Sequence, residues 1–283
     1  MTKEMTESIH TKENLPGKFA PVNGLKVYYE LYGAGQPLVM LHGGVGASEM
    51  FGANLAAFAA NRLVIAVHLQ AHGRTADIDR PLSYELMADD ISAMLKYLKI
   101  SQADILGYSL GGGVALQTAI RHPEMVHKLV LISTPARREG WYPEVLAGFD
   151  QLGPEAARYM DQSPLYQLYP DVKWAKLFTK IGELQRLDYD WSMEVAAMRM
   201  PTLISFADAD AIRLQHIMEF FTLLGGGQRD AGLEGSLRPA AQLAILPGVT
   251  HYNIALSPNL AGIITPFLDA PMPESGLSGT VME

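Results

Sequence analysis

Gly107-Tyr108-Ser109-Leu110-Gly111 is the stretch that decides the fold of this chain. It matches the pattern G-x-S-x-G, and it lies between the apolar run 103–106 and the helix-like run 112–119. Where a strand turns sharply into a helix, this pattern forms a nucleophile elbow, in which small flanking residues permit a tight turn that exposes the serine hydroxyl. Short matches also occur by chance, and many serines only cap helices. The strand-to-helix context favours the elbow, with Ser109 as the nucleophile.

On both sides of the elbow, apolar runs typical of buried strands alternate with runs of helical periodicity. The strands are predicted at 37–41, 63–67, 103–106, 128–133, 201–206 and 242–246, and the helices at 83–98, 112–122, 214–224 and 254–268. Asn23-Gly24, between two further strands at 19–22 and 25–31, predicts an antiparallel hairpin. The alternation predicts an α/β fold, a mostly parallel, twisted sheet of about eight strands flanked by helices.

The alternation stops between 135 and 200, where short helical pieces are separated by proline and glycine. All three tryptophans of the chain, Trp141, Trp174 and Trp191, fall there. We expect a helical cap whose inner face forms an apolar substrate pocket, with Trp141, Tyr142 and the elbow residue Tyr108 as lining residues. Alternatively, the aromatic rings only hold the insertion to the main body. The predicted organisation is a flexible tail at 1–16, a core at 17–134 and 201–270, the cap at 135–200 and a flexible tail at 271–283.

The composition excludes several classes of protein. With 48% apolar and 18% charged residues the chain has the balance of a globular enzyme. The net charge of −8 argues against nucleic-acid and anionic-membrane partners. There is no cysteine, so disulfides and thiol chemistry are excluded. No apolar run approaches the roughly 18 residues of a membrane helix. The polar N-terminus lacks a secretory signal, so we expect a cytoplasmic protein.

A serine hydroxyl is a poor nucleophile at neutral pH and needs a base within hydrogen-bond reach and a third group that orients the base. In a parallel sheet such groups follow the carboxyl ends of later strands. The candidates are Asp208 or Asp210, after the strand 201–206, and His251, after the strand 242–246. Their order along the chain, Ser then Asp then His, is the order that this type of elbow uses.

With these motifs in view, the chain resembles the α/β-hydrolases of the lidded esterase, lactonase and perhydrolase kind over about residues 19–269. The matching segments are His42-Gly43-Gly44, His72-Gly73-Arg74-Thr75, Gly107 to Gly112, Pro201-Thr202-Leu203 and Gly248-Val249-Thr250-His251. In the family the acid commonly stands nine residues after the strand proline, so the resemblance implies Asp210 as the acid and Asp208 as a carboxylate that caps the loop. The chain departs from the family pattern at His68, where an acidic residue is frequent, and at Ala71 and Ala207, where glycine is common.

The tetrahedral intermediate needs two amide donors for its oxyanion. One is predicted to be the N–H of Leu110, directly after the nucleophile, and the other the N–H of Gly44. The resemblance implies that His42 braces this loop and carries no proton in the reaction. No cofactor is implied, and the histidines lack the spacing of a metal site.

These residues predict a serine hydrolase that cleaves small to medium carboxylic esters or lactones through an acyl-enzyme on Ser109. Perhydrolysis and cleavage of a carbon–carbon bond next to a carbonyl are alternatives on the same residues, and a ligand-binding receptor on a hydrolase scaffold is an alternative of another class. The expected partner is a small ester or lactone, and the oligomeric state is left open.

Overall fold

The structure, a computed structural model, describes residues 17–272. The predicted N-terminal tail, 1–16, and residues 273–283 of the predicted C-terminal tail lie outside the described residues.

A single sheet of eight strands organises the described chain, with the order β1-β2-β4-β3-β5-β6-β7-β8. The strands are β1 (Lys18–Val22), β2 (Leu25–Tyr32), β3 (Gln36–Leu41), β4 (Arg62–Val67), β5 (Ala103–Tyr108), β6 (Val126–Ile132), β7 (Thr202–Ala209) and β8 (Ala241–Thr250). β1 and β2 form the predicted hairpin, and β2 pairs antiparallel with β4. The other pairs are parallel. The prediction of a mostly parallel, eight-stranded sheet is confirmed.

Nine α-helices are found in the described chain. They are α1 (Ala53–Ala59), α2 (Tyr84–Tyr97), α3 (Leu110–Arg121), α4 (Pro143–Asp150), α5 (Pro164–Leu168), α6 (Trp174–Arg186), α7 (Ser192–Ala197), α8 (Leu214–Leu223) and α9 (Leu260–Asp269). α1, a short helix of seven residues, was not predicted from the sequence. The predicted helix at 254–268 is wrong at its start: a 3-10 turn, Ile254–Leu256, is followed by a break at Ser257-Pro258 before α9 begins. A residue that precedes proline is disfavoured in helical conformation, which explains the break.

The continuous apolar runs arise because the central strands are covered on both faces. In β3, Val39 and Leu41 pack in the cluster under α2 and α3, whereas Leu38 and Met40 pack in the cluster under α1 and α9, and all four are fully buried. Successive strand residues point to opposite faces, so a strand buried on both faces cannot show alternation.

Four helices, α4 to α7, lie between β6 and β7, the region for which the sequence predicts a cap. They differ in how firmly they pack. α6 contributes eight buried residues, whereas α4, the 3-10 turn Pro154–Met160 and α5 contribute none. No helix among the described residues is long and apolar enough to cross a membrane.

Candidate active site

The elbow is formed as predicted between β5 and α3, and its backbone is strained. Ser109 has φ 52° and ψ −116°, a conformation that L-residues rarely adopt. Its small neighbours are sterically required: a Cβ on Gly107 would lie 2.2 Å from the Gly111 carbonyl oxygen, and one on Gly111 would lie 2.4 Å from the Leu41 carbonyl oxygen. The helix therefore starts in direct backbone contact with the end of β3.

The three side chains predicted to act together meet at the carboxyl edge of the sheet. The Ser109 Oγ lies 3.1 Å from the His251 Nε2, and the His251 Nδ1 lies 2.9 Å from the Asp210 Oδ1. Asp210 follows the end of β7 and His251 follows the end of β8, and the two strands are parallel neighbours. In this geometry Nδ1–H donates to the carboxylate, which leaves Nε2 free to accept the serine proton.

The carboxylate of Asp210 is buried and saturated with donors. Its Oδ2 accepts hydrogen bonds from the Ser133 hydroxyl at 2.5 Å and the Ala207 N–H at 3.0 Å, and its Oδ1 accepts from the Ile212 N–H at 3.3 Å in addition to His251. Burial alone would raise the pKa of Asp210, but the hydrogen bond and electrostatic influence of His251, together with the Ser133 and Ala207 donors, hold the pKa below its ordinary value. Asp210 therefore stays ionised beside the imidazole.

Asp208, the other candidate carboxylate, lies outside that network. Its Oδ2 accepts a hydrogen bond from the Gly248 N–H at 3.0 Å, at an exposed position. Asp208 lies in the last part of β7, where the pairing with β8 shifts register, so the contact ties this irregular end of β7 to β8 instead of capping the loop that follows. Of the two candidate acids, the structure brings only Asp210 to His251.

The two residues predicted to supply the oxyanion donors, Gly44 and Leu110, are neighbours. Leu110 is the first residue of α3, so its N–H has no acceptor within the helix. A Cβ on Gly44 would lie 3.6 Å from the Leu110 Cδ1, an ordinary contact, so the two residues are neighbours. A Cβ on Gly43 would lie 2.8 Å from the Tyr108 ring. A side chain is therefore excluded at Gly43 more strictly than at Gly44.

His42 holds the peptide between these two glycines. Its Nε2 accepts a hydrogen bond from the Leu69 N–H at 3.1 Å, so its Nδ1 carries the proton and donates to the Gly43 carbonyl at 2.8 Å. Burial and the neighbouring His72 and His68 lower the pKa of His42 well below its ordinary value, so the ring is neutral. In a trans peptide the carbonyl and the following N–H point in opposite directions. His42 therefore aims the Gly44 N–H away from itself.

The predicted pocket residues occupy three different settings. Trp141 is buried, and its ring lies edge-on to the His251 ring with centroids 5.2 Å apart. Tyr142 is half exposed at the start of α4. Tyr108 is 3% exposed, and its hydroxyl donates to the backbone carbonyl of His251 at 2.5 Å. This contact between Tyr108 and the backbone of His251 was not predicted from the sequence.

Two further residues of the site were missed. Ser133 directly follows β6 in a left-handed conformation, φ 49°, which directs its hydroxyl to Asp210. Ile181 of α6 is a neighbour of the loop 43–45 after β3, the predicted oxyanion loop, because a Cβ on Gly44 would lie 3.8 Å from the Ile181 Cδ1. The one sequence feature that could have indicated Ser133 as a site residue was its position at the carboxyl end of a predicted strand. No sequence signal separates Ile181 from the other apolar residues of its helix.

The departures from the family pattern have structural consequences. His68 accepts the Arg74 N–H at 3.0 Å and contacts the Ser48 hydroxyl at 3.2 Å. Ala71 has φ 66°, a conformation that favours glycine. Ala207 does not adopt a left-handed backbone conformation, and its N–H donates a hydrogen bond to the Asp210 carboxylate. Within residues 17–272 no three His, Asp or Glu side chains are placed to hold a metal ion.

The sheet topology, together with a serine at the turn between β5 and α3 that is hydrogen-bonded to a histidine and, through it, to an aspartate, defines the class of α/β-hydrolases. The family model described as the alpha/beta hydrolase family matches residues 38–261, and the protein belongs to this family.

Several known proteins are similar to it. A putative carbamate hydrolase, RutD, from Azorhizobium caulinodans is 28% identical over 228 residues, which cover 72% of this chain and 84% of the relative. The enol-lactonase from Burkholderia xenovorans LB400 has a TM-score of 0.69 at 21% identity, covering 89% of this chain and 100% of that one. The carboxylesterase CesB from Bacillus subtilis has a TM-score of 0.71 at 19% identity, covering 94% of this chain and 95% of that one. At these identities the two structures support the fold alone.

Proposed function

We propose that the protein is a serine hydrolase that cleaves small to medium carboxylic esters or lactones. The observation that carries the proposal is the continuous relay from the Ser109 Oγ to the His251 Nε2, 3.1 Å, and from the His251 Nδ1 to the Asp210 Oδ1, 2.9 Å. This arrangement suits acyl transfer, because it activates a hydroxyl without a cofactor.

In the proposed reaction His251 removes the proton of Ser109 as the Oγ attacks the carbonyl carbon, and Asp210 stabilises the imidazolium that forms. The N–H groups of Leu110 and Gly44 bind the oxyanion. Each such donor is worth about 2.7–4 kcal/mol in the transition state. His251 then gives its proton to the leaving oxygen. In the second half, water activated by His251 attacks the acyl-enzyme and releases the acid.

We also propose that residues 135–200 act as a cap over this site. Support comes from two observations: Trp141 packs against the His251 ring, and Ile181 is a neighbour of Gly44 in the predicted oxyanion loop. Both the base and the oxyanion donors are thus covered by side chains of the insertion. Such a cover excludes water from the reacting groups and sets the shape of the pocket.

Covalent labelling with a fluorophosphonate probe tests the nucleophile. Intact mass spectrometry is expected to show one adduct on the wild-type protein and none on Ser109→Ala. Ser101→Ala is a matched control, because Ser101 is exposed in the loop before β5, and it is expected to label like the wild type. Labelling that persists in Ser109→Ala would exclude Ser109 as the nucleophile.

A second candidate substrate class is the carbamates. The similarity to a putative carbamate hydrolase over most of the chain favours it, and a carbamate presents the same carbonyl to the same donors. A panel of p-nitrophenyl esters, lactones and p-nitrophenyl carbamates, compared by kcat/KM, separates the classes. Esters and lactones are expected to be cleaved faster than carbamates.

The same panel, extended by β-diketones and by esters with added peroxide, tests the remaining alternatives. Preferred turnover of the diketones would replace the proposal with carbon–carbon bond hydrolysis. Preferred peracid formation would replace it with perhydrolysis. Negligible turnover throughout, combined with ligands that raise the melting temperature, would replace it with a ligand-binding receptor.

A further inference from the structure

One side chain of the insertion, that of Ile181, lies beside Gly44 in the predicted oxyanion loop. A Cβ built on Gly44 would lie 3.8 Å from the Ile181 Cδ1 and 3.6 Å from the Leu110 Cδ1. A methyl group on Gly44 would therefore just fit against the two side chains, both of which are neighbours of this position. Ile181 is 6% exposed, so the space beside the predicted oxyanion donors ends at its side chain. A substrate whose carbonyl oxygen lies between Gly44 and Leu110 therefore has Ile181 as a close neighbour.

The backbone that carries Ile181 is fixed by the preceding residue. The Lys180 ammonium donates to the Asp77 carboxylate at 2.6 Å and to the carbonyls of Ile78 and Arg80 at 3.0 and 2.7 Å. Lys180 is itself 9% exposed. Moving α6 outward would leave this buried ammonium without its three partners, which is costly. Ile181 is therefore a fixed wall of the site, unlike the side chains of α4 and α5, none of which is buried.

The direction of proton transfer decides which part of the substrate meets this wall. His251 must protonate the leaving oxygen, so the leaving group lies on the His251 side of the carbonyl carbon, where Trp141 packs against the imidazole. The acyl substituent occupies the remaining position of the tetrahedral carbon, away from His251. In the sheet, β3 and β8 lie on opposite sides of β5, so Gly44, which follows β3, approaches Ser109 from the side opposite His251. Ile181 is a neighbour of Gly44 on that side, because a Cβ on Gly44 would lie 3.8 Å from the Ile181 Cδ1.

We propose that Ile181 limits the acyl side of the pocket, so that the substrates are esters of short, uncharged acids such as acetate and propionate, whereas the alcohol part is less restricted. The inference rests on the proposed serine hydrolase function and deepens it. Ile181 is here a specificity-determining residue that bounds the acyl group and takes no part in proton transfer.

A chain-length series tests this inference. The kcat/KM values for p-nitrophenyl acetate, butyrate, hexanoate and octanoate are measured for the wild type, Ile181→Val and Ile181→Ala. The wild type is expected to prefer acetate. In Ile181→Ala, which removes three carbons, the ratio of kcat/KM for hexanoate to that for acetate is expected to rise at least about 10-fold, since one methylene in an apolar pocket is already worth about that much. Ile181→Val, which removes one carbon, is expected to give an intermediate ratio.

Leu184→Ala is the matched control, because Leu184 is a buried residue one turn further along α6. It is expected to lower the melting temperature like Ile181→Ala but to keep the wild-type ratio. An unchanged ratio in Ile181→Ala, with the fold retained and Ser109 still labelled, would overturn the inference, as would a wild-type preference for octanoate. If the wild type neither labels at Ser109 nor cleaves any ester, the proposed function itself fails, and the assignment of Ile181 fails with it.

Discussion

The Tyr108 hydroxyl donates a hydrogen bond to the backbone carbonyl of His251 at 2.5 Å. Tyr108, which precedes the candidate nucleophile Ser109, is thus hydrogen-bonded to the backbone of the candidate base His251, 143 positions further along the chain. The same ring fills the space beside Gly43, where a Cβ would approach it to 2.8 Å. Tyr108 therefore fixes the spacing between the oxyanion loop and the imidazole.

Tyr108→Phe removes this hydroxyl and little else. We expect kcat for ester hydrolysis to fall about 10-fold with little change in KM, because the His251 backbone loses a buried restraint. The free energy of unfolding should fall by about 1–3 kcal/mol, the cost of a buried carbonyl left without a donor. Steady-state kinetics and urea unfolding measure the two effects. Tyr97→Phe, at a tyrosine that is 50% exposed, should change neither, and a Tyr108→Phe enzyme with wild-type kcat would contradict the positioning role.

Asp210→Asn should separate the two candidate carboxylates. An amide can present its NH₂ to the His251 Nδ1 and favour the wrong tautomer, so we expect kcat to fall by about 10⁴-fold. Asp208→Asn is the matched control, since Asp208 only accepts the Gly248 N–H, and its kcat should remain within about 3-fold of the wild type. The opposite ranking in single-turnover and steady-state assays would reassign the acid to Asp208.

His42→Ala should lower kcat by about 10²-fold, the loss typical when one oxyanion donor is impaired. The physical reason is that the Gly43 carbonyl loses its donor, so the Gly44 N–H is no longer held in one orientation. Ester kinetics measure this loss. His122→Ala, at a histidine that pairs with Asp89 away from the site, should leave kcat unchanged. If kcat instead stays at the wild-type value in His42→Ala, the Gly44 N–H either needs no bracing or is not an oxyanion donor.

His216 should make the stability depend on pH. Its Nε2 accepts the Ala136 N–H at 3.0 Å, where the chain leaves β6 for the insertion. Burial and the nearby Arg137 lower its pKa from 6.5 to about 4. The unfolded chain therefore takes up a proton at a pH where the folded chain does not, and the free energy of unfolding falls as the pH falls from 6.5 towards 4.

His216→Gln tests this dependence, because glutamine keeps an acceptor and does not titrate. Between about pH 7.5 and about pH 5, the loss of unfolding free energy should be smaller in the variant than in the wild type by about 2 kcal/mol. Urea unfolding at the two pH values measures both losses, and the other buried histidines contribute equally to both proteins. Equal losses would show that His216 does not titrate in this way.

The sequence determined the sheet, the elbow and the chain order of the candidate residues, because these depend on local patterns. Apolar runs between helical stretches specify strands covered on both faces, and Gly107 and Gly111 are needed wherever a strand turns into a helix this tightly. The choice between Asp208 and Asp210 could not be made from the residues alone. It depended on a family resemblance, because both carboxylates follow the same strand.

Only the tertiary structure decided which side chains meet across long stretches of sequence. The Ser133 hydroxyl reaches Asp210 because β6 and β7 are parallel neighbours and Ser133 adopts a left-handed conformation. Ile181 is a neighbour of Gly44 because the ion pair between Lys180 and Asp77 holds α6 near the loop after β3. Such contacts depend on the packing of whole elements, and a pattern of residue types along one segment carries no information about the partner that packs against it.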